Sequence, residues 1–150
     1  MNARFLIFVV CLAAAAGSGC AHVTETGKTL WGSSTRQLES ARDGAVAKTY
    51  RCAFADCFDT VLKLTADLPA GATEEQIKNH MVLFIKNPAK KMIVVMGVPG
   101  SVDTTEVGIF FTPSGNGALK VDLSSLSSSA KANAAELVFK QLGQFHEEVK

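Results

Sequence analysis

MVLFIKNPAKKMIVVM, residues 81–96, holds two continuous apolar runs, Met81 to Ile85 and Met92 to Met96, on either side of a polar joint, Lys86 to Lys91. Runs this short read as strands rather than helices. The joint is too short for the crossover that parallel strands need, so the two runs predict an antiparallel hairpin. Lys90-Lys91, the longest basic run in the chain, then falls in a solvated turn.

Toward the C-terminus, Val98-Pro99-Gly100-Ser101 puts proline and glycine where a type II turn wants them. A strand is expected over Glu106 to Thr112. Another follows in which Leu119, Val121 and Leu123 alternate with Lys120, Asp122 and Ser124, a pattern that leaves one face to water. The serines from Ser124 to Ser129 supply hydroxyls suited to the orphan amides at a helix start. From there an amphipathic helix is expected to close the chain, with Ala130, Ala134, Leu137, Val138, Leu142, Phe145 and Val149 on one stripe. Glu136 and Lys140 form an i,i+4 pair on its exposed side.

Toward the N-terminus, Thr73 and Gln76 have capping-box spacing ahead of a short helical turn. Before it, Phe54 to Leu68 repeats apolar residues at three- and four-residue steps (Phe54, Cys57, Phe58, Val61, Leu62), which predicts a helix ended by Leu68-Pro69-Ala70-Gly71. Asp56 and Asp59 near its start suit the helix dipole and read as capping and solvated groups rather than a catalytic pair. Ala45 to Cys52 reads as a strand. Ser34 and Gln37 repeat the capping-box spacing before a helix from Thr35 to about Asp43. Segregated strands of this kind point to one α+β domain over residues 34–150: a mainly antiparallel sheet of about five strands with helices packed on one face.

The first residues carry a different kind of pattern. FLIFVVCLAAAAGSGCAHV, Phe5 to Val23, follows the positive Arg4 and breaks at Gly17 and Ser18, short of the about 20 apolar residues that span a bilayer. A basic start, a short apolar run and then small residues describe a secretory signal peptide. Gly17-Ser18-Gly19-Cys20 resembles the bacterial lipobox. That resemblance implies removal of residues 1–19 and diacylglyceryl transfer to the Cys20 thiol, usually followed by acylation of the new amino group. Ala21, where aspartate would signal retention, implies transfer to the outer membrane. The stretch TLWGSSTRQLESAR, from Thr29 to Arg42, resembles the leading segment of small uncharacterised bacterial lipoproteins and brings no activity with it.

Residues 20–33 are polar and contain glycine, with no periodicity, and read as a lipidated N-terminus and tether. Leu30-Trp31 stands out there because the chain has one tryptophan. Tryptophan is favoured at membrane interfaces and as an interface anchor, so the pair is a candidate membrane or partner contact; packing onto the domain is the other reading. Gly27-Lys28-Thr29 lacks the glycine and the preceding strand of a phosphate loop.

Of 4 cysteines, Cys11 leaves with the signal and Cys20 takes lipid, so Cys52 and Cys57 remain as an even pair. Cleavage after Ala16 would instead leave an odd one. Their i,i+5 spacing spans the strand-to-helix turn, and a bend there brings Cα atoms within the about 7 Å that a disulfide needs. Two reduced core cysteines are the alternative. A zinc centre would want further ligands, and His22, His80 and His146 are scattered in sequence, so no metal and no cofactor is expected.

The chain carries 15 Lys and Arg against 14 Asp and Glu, and losing Arg4 removes even that excess. Nucleic-acid binding is therefore disfavoured. No nucleophile with a base and no phosphate loop stands in recognisable spacing, so no catalytic residue is assigned. The most polar loop, Ser101 to Glu106, lacks the ligand number and glycine of a calcium loop and reads as a solvated connection. What remains is a lipid-anchored, periplasm-facing envelope protein that binds another protein or supports an assembly. A small-molecule or peptide carrier using an open sheet face or edge strand is the alternative.

Overall fold

The computed structural model describes residues 34–149, and the compact unit that carries the sheet begins at Gln37. In chain order a helix α1 over residues 34–40 runs into a 3-10 turn, Ala41–Gly44. Strand β1 (Val46–Arg51), helix α2 (Phe54–Leu62) and a 3-10 turn (Lys63–Thr65) follow, then the short helix α3 (Glu74–Lys78). Four strands come next: β2 (Val82–Asn87), β3 (Met92–Met96), β4 (Val107–Pro113) and β5 (Ala118–Ser124). Helix α4 (Ser128–Phe145) and strand β6 (Glu147–Val149) end the fold. All neighbouring strands are antiparallel, in the order β2-β3-β4-β5-β1-β6. The fold is therefore α+β, as the segregated strands predict.

Local chemistry explains where the elements begin and stop. Thr73 Oγ1 accepts from the Gln76 amide at 3.2 Å and the Gln76 side chain accepts from the Thr73 amide at 2.8 Å, a complete capping box. Ser127 Oγ accepts from the Ala130 amide at the start of α4. Ser101 N–H donates to Val98 O at 3.0 Å with Gly100 at φ +76°, the conformation a type II turn requires of its third residue.

One sheet face carries the main core. Ile93, Val95, Val107, Ile109, Phe111, Leu119, Val121 and Leu123 from the strands meet Phe58 and Val61 of α2 and Ala134, Val138 and Leu142 of α4. Each aliphatic side chain fully withdrawn from water there contributes about 1.5–3 kcal/mol.

Four expectations need correction. The helix predicted to reach Leu68 ends at Leu62, because the Thr65 hydroxyl takes the Leu62 carbonyl at 2.9 Å and the Met81 amide takes that of Leu64. The closing helix ends at Phe145 rather than Val149. His146 turns extended, and Glu147–Val149 pair with the outer edge of β1 as a sixth strand, with Lys48 and Glu148 in ion contact at 2.7 Å. Phe145 is thereby exposed, with Lys63 Nζ 4.8 Å from its ring centre. Lys140 reaches Glu75 of α3, at 4.0 Å, rather than Glu136.

The fourth correction concerns the second sheet face, which is not left to water. Leu38, Met92, Val94 and Phe110 are buried together there, with Phe84 and Ile85 against them. Asp122, 2% exposed, receives Arg42 Nε at 2.7 Å and Nη2 at 2.9 Å, and Ser124 Oγ donates to Leu38 O at 2.6 Å. So α2 and α4 cover one face while the end of α1 and the 3-10 turn cover part of the other.

Tyr50, the chain's one tyrosine, is fully buried on β1 and donates its hydroxyl to Phe139 O at 3.3 Å. Burial, with a smaller contribution from Glu148, pushes its pKa up to about 12. A raised tyrosine pKa means that the folded state holds the proton more tightly, so this contribution to stability is whole below pH of about 10 and is lost as pH rises through about 12. The expected titration, read by tyrosinate absorbance, has its midpoint near 12 in the folded protein and near the ordinary value in denaturant. A folded-state midpoint at the ordinary value would contradict the enclosed hydroxyl.

Candidate functional site

Two places gather chemistry on this scaffold. The first is the corner where β1 turns into α2. Cys52 leaves the strand and Cys57 lies in the first turns of the helix, and the two are joined as a disulfide with Cα atoms 6.0 Å apart. Closing so small a loop contributes about 2 kcal/mol on the chain-entropy account. Cys57 is fully buried, whereas Asp56 and Asp59 are exposed on the same helix, as solvation requires; neither caps it, since the N-cap is Ala53 with no side-chain bond. The corner also receives His146 from the end of α4, whose Nε2 lies 3.1 Å from Thr60 Oγ1. Sequence distance hid this: the histidine is the extended residue between α4 and β6, and it comes beside the disulfide as β6 folds back along β1.

The second place is the outer edge of β2. Among the described residues the sheet has two edge strands, and they differ in kind. β6 is short and carries Glu147 and Glu148, the charge and brevity by which proteins keep an edge from pairing with another chain. β2 is twice as long and exposes Val82 (49%) and Leu83 (38%). Register shifts between Leu83 and Ile85, so Phe84 forms a bulge, and Lys86 follows. Bulge and lysine guard the far half of the edge. The Val82-Leu83 half is apolar, and no strand among the described residues pairs with it.

Beside that half lies a groove of about 440 Å³, lined by Leu62, Thr65, Asp67, His80, Leu83 and Lys86 among others. It meets a second groove of about 400 Å³ at Ala66, Asp67 and His80, which continues between α3 and α4 past Lys63, Gln76, Lys140 and Gln141. An extended segment added to β2 would place side chains at strand spacing beside the first of these grooves, which Val82, Leu83 and Lys86 line.

The remaining predicted features divide cleanly. Cys20, Leu30 and Trp31, together with the signal and the tether, lie outside the described residues. The Ser101–Glu106 loop is tied internally, with the Gly97 amide donating to Asp103 O and the Thr105 amide to Val102 O, each at 2.9 Å. Asn133 Nδ2 holds the preceding turn through Pro99 O at 3.0 Å. Among the described residues, the group of three metal-ligand side chains close together is Cys52, Cys57 and His146, and no carboxylate of that loop belongs to it. Also among the described residues, no helix is long and apolar enough to cross a membrane. No protein-family model matches the chain, and no curated protein matches it.

Proposed function

We propose that the chain is a lipoprotein of a bacterial envelope, held in the outer membrane by acyl chains on Cys20 and facing the periplasm. Its work is non-catalytic: it binds another envelope protein, or supports an assembly, by accepting an extended partner segment on β2. The observation that carries this reading is the asymmetry of the sheet, one edge blunted by glutamates and the other left apolar at Val82 and Leu83. Main-chain pairing on such an edge supplies affinity, and pockets for alternate side chains supply selectivity. The groove lined by Val82, Leu83 and Lys86 would serve as such a pocket.

A carrier of small molecules or free peptides is favoured by one observation, the groove between α3 and α4, whose volume lies at the low end for ligand sites. The two readings separate experimentally. A photocrosslinking side chain at position 83, in native membranes, is expected to yield a discrete adduct with an envelope protein. The same side chain at position 120, on an exposed site of β5, is expected to yield none. Val82→Lys is expected to abolish the adduct and to change stability by no more than about 0.5 kcal/mol, as surface substitutions do. Equal labelling at 83 and 120 ends the edge reading. A small ligand released on denaturation would establish the carrier in its place.

A further inference from the structure

We propose that the β1–α2 corner is a redox-gated binding site for one Zn²⁺ ion, built from Cys52, Cys57 and His146. The two sulfurs and a ring nitrogen of His146 all lie within 4.8 Å of one another. Tetrahedral zinc with bonds of about 2.3 Å to sulfur and about 2.0 Å to nitrogen sets its ligand atoms roughly 3.5–3.8 Å apart. Side-chain rotation of the order of an ångström therefore suffices once the sulfurs are no longer bonded to each other.

Each ligand is placed by a separate element. Cys52 follows the last residue of β1, Cys57 stands in α2, and His146 caps α4, its amide bonded to Leu142 O at 2.9 Å. Pairing of Arg51 with Glu147 in the β1–β6 ladder fixes the histidine's backbone beside the cysteine's. Thr60, itself buried, holds His146 Nε2, the kind of partner that orients a metal-binding imidazole. Cys57 is shielded from water while Cys52 and His146 are half-buried, so the corner is enclosed on one side and reachable on the other.

The chemistry balances in two steps. A dithiol reductant gives two electrons and two protons to the Cys52–Cys57 disulfide, which becomes two thiols while the reductant becomes a disulfide. Zn²⁺ then displaces both thiol protons to solvent and binds two thiolates and the neutral imidazole, leaving a fourth position for water or an incoming ligand. Thiolate and imidazole together suit zinc and disfavour hard cations such as Ca²⁺ and Mg²⁺. The bond that staples the corner and the ion that would replace it are mutually exclusive.

The test uses the full chain with Cys11→Ser and Cys20→Ser, so that no other thiol competes, titrated with Co²⁺ as a coloured stand-in. After phosphine reduction without oxygen, one equivalent of Co²⁺ is expected to produce thiolate-to-cobalt charge-transfer absorption that Zn²⁺ abolishes. The oxidised chain should give none. His146→Ala is expected to weaken Co²⁺ binding at least about 10-fold, and Thr60→Val to weaken it less, with the far-ultraviolet dichroism of both unchanged. If the reduced metal-free chain loses that dichroism, its recovery on adding Co²⁺ supports the site and its failure to recover overturns it. Absence of charge-transfer absorption, or equal affinity with and without His146, overturns it too.

Discussion

Arg42→Met is expected to destabilise the fold by about 2–3 kcal/mol, and Arg42→Met with Asp122→Leu to recover most of that loss. Asp122 is almost wholly buried on the second sheet face, and both of its carboxylate oxygens are met by Arg42. The hydrogen bond to Asp122 raises the Arg42 pKa, against desolvation that lowers it. The guanidinium also lies 4.6 Å from the Phe110 ring centre and donates to Thr112 Oγ1. Methionine keeps the apolar stem but strands a buried carboxylate. Removing one partner of a fully buried pair costs about 3–5 kcal/mol, and a smaller loss of about 2–3 kcal/mol is expected here because the Arg42 side chain is about a third exposed. Replacing both partners removes the stranded charge, since a leucine at position 122 would pack across from Phe110, its β4 neighbour. Urea unfolding decides the matter: the single variant should lower the midpoint without changing the slope, and the double variant should restore it. A double variant no better than the single one would show that the pair matters for something other than charge burial.

How much of this was legible follows from the range over which each signal acts. The β2–β3 hairpin, the type II turn, the capping box at Thr73 and the serine cap of α4 are local, and each is written within a few residues. The second core was half written. Met92 to Met96 is apolar at every position because Ile93 and Val95 face α2 and α4 while Met92 and Val94 face Leu38 and Phe110. A continuous run is what burial on both faces produces. Alternation in β5 suggested a wet face instead, because Asp122 looks like a surface residue until Arg42, eighty positions earlier, is brought to it. Gly108 belongs to the same hidden layer. A Cβ there would stand 2.7 Å from the Phe110 ring and 3.4 Å from Leu38 Cβ, so glycine makes room for the packing of that face.

The edge of β2 was illegible for another reason. Whether Val82 and Leu83 meet water depends on strand order, and strand order is decided by β1 entering beside β5 rather than beside β2. β6 was hidden by competition between periods: Phe145 and Val149 continue the spacing of Leu142, so the helical pattern runs past the true end. Tertiary pairing with β1 overrides it. The disulfide alone among the site features could be read by counting, and its histidine neighbour could not.

If the chain is the lipoprotein proposed above, Cys20→Ala is expected to abolish lipid labelling and the membrane attachment that the lipid would provide. The reading rests on the Gly17-Ser18-Gly19-Cys20 junction. Each acyl methylene buried in the bilayer contributes about 0.8 kcal/mol, and one chain alone holds only marginally, whereas two or three on one residue make a stable anchor. On the proposed reading the thiol would accept the first two chains, so alanine would remove the substrate of the whole sequence of modifications. Two forms of the variant fit this account. Either the chain is cut by another route and appears free of the membrane, or residues 1–19 stay attached and the precursor is held by Phe5 to Ala16 without any lipid. Intact mass and metabolic labelling with a fatty acid distinguish them. Trp31→Ala, by contrast, should leave fractionation unchanged, since one aromatic contact is small beside two or three acyl chains. A Cys20→Ala protein that stays in the outer membrane and still takes up label would show that the anchor lies elsewhere.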